Sequence, residues 1–205
     1  MTTAETKFYQ QLKVAVAPWA DLTDAQWTQL AAIFRHRTAA KKDYLLVPGD
    51  MVHELVFVCH GLLRFYYLSA DGTESNKAFI AENTFAGPLG AFTLNLPVMY
   101  GVQALEDTSL LVATYTDFAG LFDEHPAFDR LGRRLAEWLL ARKELRARSL
   151  LQQQASERYL DFVSQHRGLV QRVPQYHIAS YLGITEVSLS RLRRALAQSA
   201  HDKAA

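Results

Sequence analysis

An α+β fold is predicted, with N-terminal helices, an antiparallel β-roll of double-stranded jelly-roll type, one long helix, and a C-terminal helix-turn-helix of winged-helix type. Three observations predict it. Between Tyr44 and Thr116, short runs of Val, Phe, Tyr, Leu and Thr are punctuated by Pro48-Gly49-Asp50, Gly61, Asp71-Gly72, Gly87-Pro88, Pro97 and Gly101, the texture of short antiparallel strands. From Asp117 to about Gln154 the texture turns helical, interrupted only before Pro126. The closing stretch PQYHIASYLGITEVSLSRLRRAL then describes two short helices around a glycine.

In chain order, a first helix is expected over Thr6 to Val14. A second is expected from Thr23 to about Ala39, because Thr23 and Gln26 make a capping box and Trp27, Leu30, Ile33 and Phe34 form one apolar face. Within the roll, Asp71-Gly72 marks the clearest hairpin, between LLRFYYL and NKAFIAE. In the long helix Phe128, Leu131, Leu135, Trp138 and Leu145 follow spacings of three and four, with Arg142 at the intervening position. Such a stripe either pairs with a second copy of the chain or covers the roll, and the homodimer is the expected use. Gln152-Gln153-Gln154-Ala155-Ser156 is polar and small, a hinge before a helix from Ser156 to about Gln165. The domains expected are therefore 1–125 for the roll, 126–154 for the dimerisation helix and hinge, and 155–205 for the terminal domain.

In the terminal pair, Pro174 suits a helix start, Ile178, Ala179 and Leu182 form an inward stripe, and Gly183 closes the helix in a left-handed conformation. Thr185 caps the next helix, whose Leu189, Leu192 and Leu196 face inward. The opposite face presents Glu186, Val187, Ser188, Ser190, Arg191 and Arg194. That is the layout of a helix that enters a DNA major groove. Arg191 is the foremost base reader, since a guanidinium offers two parallel donors to guanine O6 and N7, while Thr185 and Ser188 suit phosphate oxygens. Glu186 has two open roles, accepting from a cytosine amino group or favouring the helix N-terminus.

Charge is distributed accordingly. From Glu157 onward there are seven Lys and Arg against four Asp and Glu, a net of +3, while the rest of the chain stands at −2. No apolar run of membrane-spanning length occurs, and the N-terminus lacks a signal-peptide pattern, so a cytoplasmic protein without membrane contact is expected. Cys59 is the one cysteine, which leaves no internal disulfide and no cysteine-ligated iron–sulfur cluster. Neither a nucleophile with a base nor a phosphate-cradling glycine loop stands out, so no enzyme activity and no cofactor are predicted. The competing class, a metal-dependent enzyme on a cupin-like barrel, rests on His53, Glu54 and His60. Seven residues apart on one strand, the two histidines would face opposite ways. A terminal domain that docks another protein through Arg191, Arg193 and Arg194 is a third reading.

In this order the landmarks YLLVPGD, VFVCHGLLRFYY, NTFAGPLGAF, ALEDTSLLVATYTDF and ASERYLDFVSQHRGLVQRVPQYHIASYLGITEVSLSRLRRAL resemble the Crp/Fnr family of bacterial transcription regulators, in a short-tailed branch. The resemblance implies a homodimer on a two-fold related site in double-stranded DNA, with RNA polymerase a further candidate partner. It also implies a cyclic nucleotide-binding-like sensory roll. In well-known members a glutamate in an FxGEL-like stretch holds the ribose and an Arg-Ser pair holds the cyclic phosphate.

Here the glutamate position falls on Pro88 and the Arg-Ser pair on Val98 and Met99. Burying an anionic phosphate against apolar side chains is costly, so cyclic AMP is not expected as the effector. An unknown small molecule, or none, takes its place. Arg64, Phe85, Gly87, Pro88, Leu89, Val98, Met99, Tyr100 and Gln103 are the candidate effector-pocket residues. Haem, used by other members, would call on His53, Cys59 and His60, but strand alternation sends Cys59 and His60 to opposite faces. The plainer reading is a buried cysteine beside a surface histidine.

Overall fold

The computed structural model describes residues 3–51, 53–166 and 168–202. Helices α1 (Thr3–Val16) and α2 (Asp24–Ala32) open the chain. Thr23 caps α2 in a capping box, its Oγ1 accepting from the Gln26 N–H at 3.3 Å while Gln26 Oε1 accepts from the Thr23 N–H at 2.9 Å. The helix expected to continue to Ala39 stops at Ala32, and Arg35–Ala39 is strand β1. The segment RHRTA carries no apolar helical face, and antiparallel pairing with β8 (Thr108–Thr114) satisfies its backbone instead.

The roll is built from β1 and β2 (Tyr44–Leu46), β3 (Glu54–His60), β4 (Leu63–Leu68), β5 (Glu74–Ile80), β6 (Thr84–Ala86), β7 (Gly101–Ala104) and β8, with the short helix α3 (Leu89–Thr93) between β6 and β7. They form two four-stranded antiparallel sheets, in the orders β1-β8-β3-β6 and β2-β7-β4-β5. The Asp71-Gly72 hairpin joins β4 to β5, with Asp71 Oδ1 accepting from the Thr73 N–H at 3.0 Å. Strand alternation divides the apolar residues between layers. Val56, Val58, Leu63, Phe65, Ile80, Val102, Leu110 and Val112 fill the space between the sheets. Leu55, Phe57, Cys59, Phe85, Leu111 and Ala113 face the other way, onto α1 and α2.

After β8 come α4 (Tyr115–Gly120), a 3₁₀ turn at Leu121–Asp123, and α5 (Pro126–Gln152). Pro126 starts α5, where its missing N–H is no loss, and His125 Nδ1 accepts from the Ala127 N–H at 3.1 Å. The stripe Phe128, Leu131 and Leu135 is buried in the layer against α1 and α2, and Trp138 packs half-buried beside it, 5.7 Å from the Trp19 ring. These four residues, expected at a dimer seam, are core of their own chain, because α1 and α2 supply the apolar partners. Arg142 lies over the Trp138 ring at 4.7 Å, and of the six only Leu145 is mainly exposed.

Helices α6 (Ala155–Gln165), α7 (Gln175–Leu182) and α8 (Glu186–Asp202) complete the chain. No wing strand occurs among the described residues of 153–202. Residues 168–173 form turns instead, and Leu169 and Val173 turn inward to share a core with Phe162, Ile178, Leu182 and Leu189. Among the described residues no helix is long and apolar enough to cross a membrane.

Candidate nucleic-acid interface and effector sites

Gly183 adopts φ +69°, the left-handed conformation that glycine enters without steric cost, and ends α7. The Ile184 N–H then bonds back to the Ala179 carbonyl at 3.1 Å, and Thr185 Oγ1 accepts from the Ser188 N–H at 3.1 Å to start α8. Leu189 is fully buried, and Leu192 and Leu196 are half-buried beneath α8. Thr185, Glu186, Val187, Ser188, Ser190, Arg191 and Arg194 are all exposed. Val187, at 60% relative exposure, is an apolar side chain displayed next to arginines on a surface left open among the described residues.

The other face of this helical pair is docked on the roll. Asn76 of β5 donates from Nδ2 to the His177 carbonyl at 3.1 Å and lies 3.0 Å from His177 Nδ1, while its N–H donates to Ser180 Oγ at 2.9 Å. Ser180 Oγ in turn donates to the Glu74 carbonyl at 3.2 Å. Beneath these, Arg64 is 3% exposed and reaches Gln103 Oε1 at 2.8 Å, Asn76 Oδ1 at 3.3 Å and Glu74 Oε2 at 2.6 Å. Burial, and then the Arg64 charge, push the His177 imidazole down to about 4 from an ordinary 6.5, so it is neutral.

A second clamp uses Arg172, whose guanidinium meets Glu106 at 2.6 Å, Glu82 at 2.8 Å and the Gly61 carbonyl at 3.2 Å. Burial alone would raise the Glu82 carboxyl, but hydrogen bonds from Arg172 and the Gly61 N–H outweigh it and hold the group below its usual range. Apolar contact joins the same surfaces through Phe79, whose ring lies 5.4 Å from Tyr181 and 6.0 Å from Phe162. Arg146 of α5 donates to the Tyr181 carbonyl and lies over its ring at 3.7 Å. Sequence reading passed over Asn76, Arg172, His177 and Ser180. The one signal available was a histidine at position 177 on the inward face beside Ile178.

The nine candidate effector residues do not come together. Arg64 and Gln103 lie on the outer face of their sheet, in the network under α7. Phe85 faces the N-terminal helices, 5.6 Å from Trp19. Val98 is packed between the sheets, and Met99 is 69% exposed. Tyr100 also turns between the sheets, where Lys77 Nζ sits 3.6 Å from its ring centroid. Burial, with Lys143 nearby, pushes the Lys77 amine down to about 8. Lys77 is the residue inserted by a bulge, since Phe65 pairs with Ala78 and Tyr66 with Asn76. Gly87, Pro88 and Leu89 line a different space, a cavity between α3, α4 and α5.

A family model described as the cyclic nucleotide-binding domain matches residues 36–125, the span from β1 to the turn before α5. Over more than four-fifths of its length the chain also shares its fold with solved structures. FixK2 from Bradyrhizobium japonicum is 19% identical, with 82% of this chain and 86% of that chain covered and a TM-score of 0.71. A CooA mutant from Carboxydothermus hydrogenoformans is 21% identical, over 83% and 79% of the two chains, at 0.65. The c-di-GMP responsive global regulator CLP from Xanthomonas campestris is 17% identical, over 84% and 91%, also at 0.65. No curated protein sequence matches the chain.

The matching family model describes a binding domain. His53 precedes β3 and His60 ends it, exposed, and among the described residues no three His, Cys, Asp or Glu are grouped to hold a metal. Cys59 is 2% exposed, with its thiol pushed up to about 12 by burial, an inert core residue rather than a reactive thiolate.

Proposed function

We propose that this protein is a sequence-specific DNA-binding transcription regulator that acts as a homodimer on a two-fold related site. The observation that carries the reading is the exposed face of α8, with Arg191, Arg194, Ser190, Val187 and Glu186 outward on a helix capped by Thr185. Its similarity in fold to FixK2 and CLP supports the same conclusion. Arg191 reads guanine, Val187 is placed to touch a thymine methyl, and Thr185 and Ser188 hold phosphates. RNA polymerase remains a partner candidate on the family likeness alone.

Dimerisation is assigned to α5, on a stripe other than the one expected. With Phe128, Leu131, Leu135 and Trp138 turned into their own chain, the exposed Leu140, Ala147 and Leu151, spaced seven and four, form the face left for a second copy. The division at 125 and 154 into roll, dimer helix and DNA-binding domain follows that assignment, with the hinge at Gln153-Gln154 between α5 and α6.

Cyclic AMP is not the effector in this reading. Pro88 offers no acceptor to a ribose hydroxyl, Val98 is 1% exposed in an apolar layer, and Met99 points to solvent. The roll acts on DNA binding through the Arg64–Asn76–His177–Ser180 network, which holds α7 against β5, and the Arg172 clamp, which ties the turn before α7 to Glu82 and Glu106.

Salt titration of DNA binding tests the proposal. Affinity for a bound duplex should fall linearly in log–log form with a slope reporting several neutralised phosphates per dimer. An affinity that does not respond to salt, or a chain that sediments as a monomer on DNA, would contradict it.

A further inference from the structure

A cleft of about 530 Å³ opens where the roll, α5 and the terminal segment meet. It is bordered by Trp138 and Arg142 of α5, Phe79 and Glu82 of the roll, His166 at the end of α6 and Arg172 in the turns that follow. Its size falls within the roughly 300–1,000 Å³ typical of small-molecule sites. Two guanidinium groups border it, in opposite states. Arg172 is fully engaged, held by Glu82, Glu106 and the Gly61 carbonyl. Arg142 is not. Its guanidinium lies over the Trp138 ring at 4.7 Å, an arrangement that covers one face and leaves the N–H edge available.

The Arg142 guanidinium and the His166 ring make no hydrogen bond or ion pair among the described residues, and none of their nitrogens is sealed from water, so both are open to an occupant of the cleft. Burial pushes the Arg142 group down from its ordinary value, opposed by the Tyr181 hydroxyl and by no carboxylate among the described residues. Burial, and then the Arg142 charge, push His166 below its ordinary 6.5, so its ring is neutral and donates from one nitrogen. Arg146, one turn further along α5, is repelled by Arg158, so positive charge gathers at this junction. A half-buried cation without a counter-ion is costly, and a bound anion recovers that cost. The carboxylate in the cleft, Glu82, is tied to Arg172 and leaves the Arg142 end to the ligand.

We propose that this cleft binds a small molecule through one oxyanion group, a carboxylate or a phosphate, which takes paired N–H bonds from the edge of Arg142 and a third from the His166 ring. The planar guanidinium fork fits two oxygens of one such group, a match that a monatomic anion lacks. Arg142 stands about 200° around α5 from Leu140, Ala147 and Leu151, so a second copy seated on that face leaves the cleft open. Because Arg142 belongs to α5 and His166 ends α6, an occupant ties the terminal segment to the long helix across the Gln153-Gln154 hinge. Binding here goes beyond the DNA-binding reading and does not depend on it.

The test uses the full chain, with the ionic strength held constant by sodium chloride and phosphate or acetate as titrant, followed by NMR at the Arg142 Nε–H and the His166 ring. At least one probe should saturate and move both signals in wild type, and the tighter of the two identifies the group as phosphate or carboxylate. Arg142→Gln should weaken binding about tenfold or more, and Arg142→Lys, which keeps the charge and loses the fork, should also weaken it. As a check that needs no variant, the bound probe should slow backbone hydrogen exchange in wild type over residues 162–166 and 168–173. No saturable change above the chloride background, signals that move only at Arg172, or affinity unchanged in Arg142→Gln would each overturn the assignment.

Discussion

The two faces of the β2-β7-β4-β5 sheet differ in chemistry, and the difference separates what holds the roll together from what docks the terminal helices on it. The inner face, with Leu63, Phe65, Ile80, Val102 and Ala104, is apolar apart from Lys77 against Tyr100 and packs against the opposite sheet. The outer face carries Arg64, Asn76 and Gln103 and receives α7 through directional bonds. Apolar burial is strong and tolerant of direction, so the inner face holds the roll together. Buried polar groups demand particular partners, so the outer face fixes where the terminal domain sits.

Truncating Phe65 to alanine would test the inner face most severely. We expect a loss of about 3–5 kcal/mol in denaturant unfolding, falling on the whole roll, because a 5% exposed ring leaves a cavity between the sheets. Asn76→Ala should cost less, about 1–3 kcal/mol, and should act elsewhere. Hydrogen exchange should quicken in α7 while β3 and β8 stay protected. Equal loosening of both regions would erase the distinction between the faces. Arg191→Ala belongs to neither face and should leave melting unchanged while weakening DNA binding by about 1–3 kcal/mol.

Acidification gives a finer probe of the outer face. His177 is neutral when docked, so its contribution is fully present above about 6.5 and is lost as pH falls from there toward 4. Exchange in α7 should therefore accelerate over that interval ahead of the inner strands, with Arg64 and Glu74 the charged groups beside the ring. His177→Phe should flatten this dependence. The smallest effect is expected at Arg133→Ala, which removes an exposed i,i+4 pair with Glu137 and should change stability by no more than about 0.5 kcal/mol.

Much of this architecture is legible in the sequence because local rules write it. The Thr23–Gln26 box, the Asp71-Gly72 hairpin, Pro126 at the start of α5 and Gly183 at the end of α7 each depend on residues a few positions apart. What escaped depends on distant partners. RHRTA follows the apolar face of α2 with no turn residue between them, and becomes β1 because β8 is there to pair with it. The Phe128–Trp138 stripe has the spacing of a dimer seam, and spacing does not say whether the covering surface is a second copy or α1 and α2.

Alternation along β4 and β7 sends Arg64 and Gln103 outward while Leu63, Phe65, Val102 and Ala104 go inward. That parity was readable. The docking network was not, since Asn76 and His177 are 101 positions apart.

Selection of bound duplexes from a random DNA pool, run in parallel on wild type and Arg191→Ala, tests the central claim most directly. The account predicts an enriched two-fold symmetric site with half-sites about one helical turn apart, and loss of base preference at one position of each half-site in the variant. A pool that yields no symmetric sequence, or identical sequences for both proteins, would contradict it.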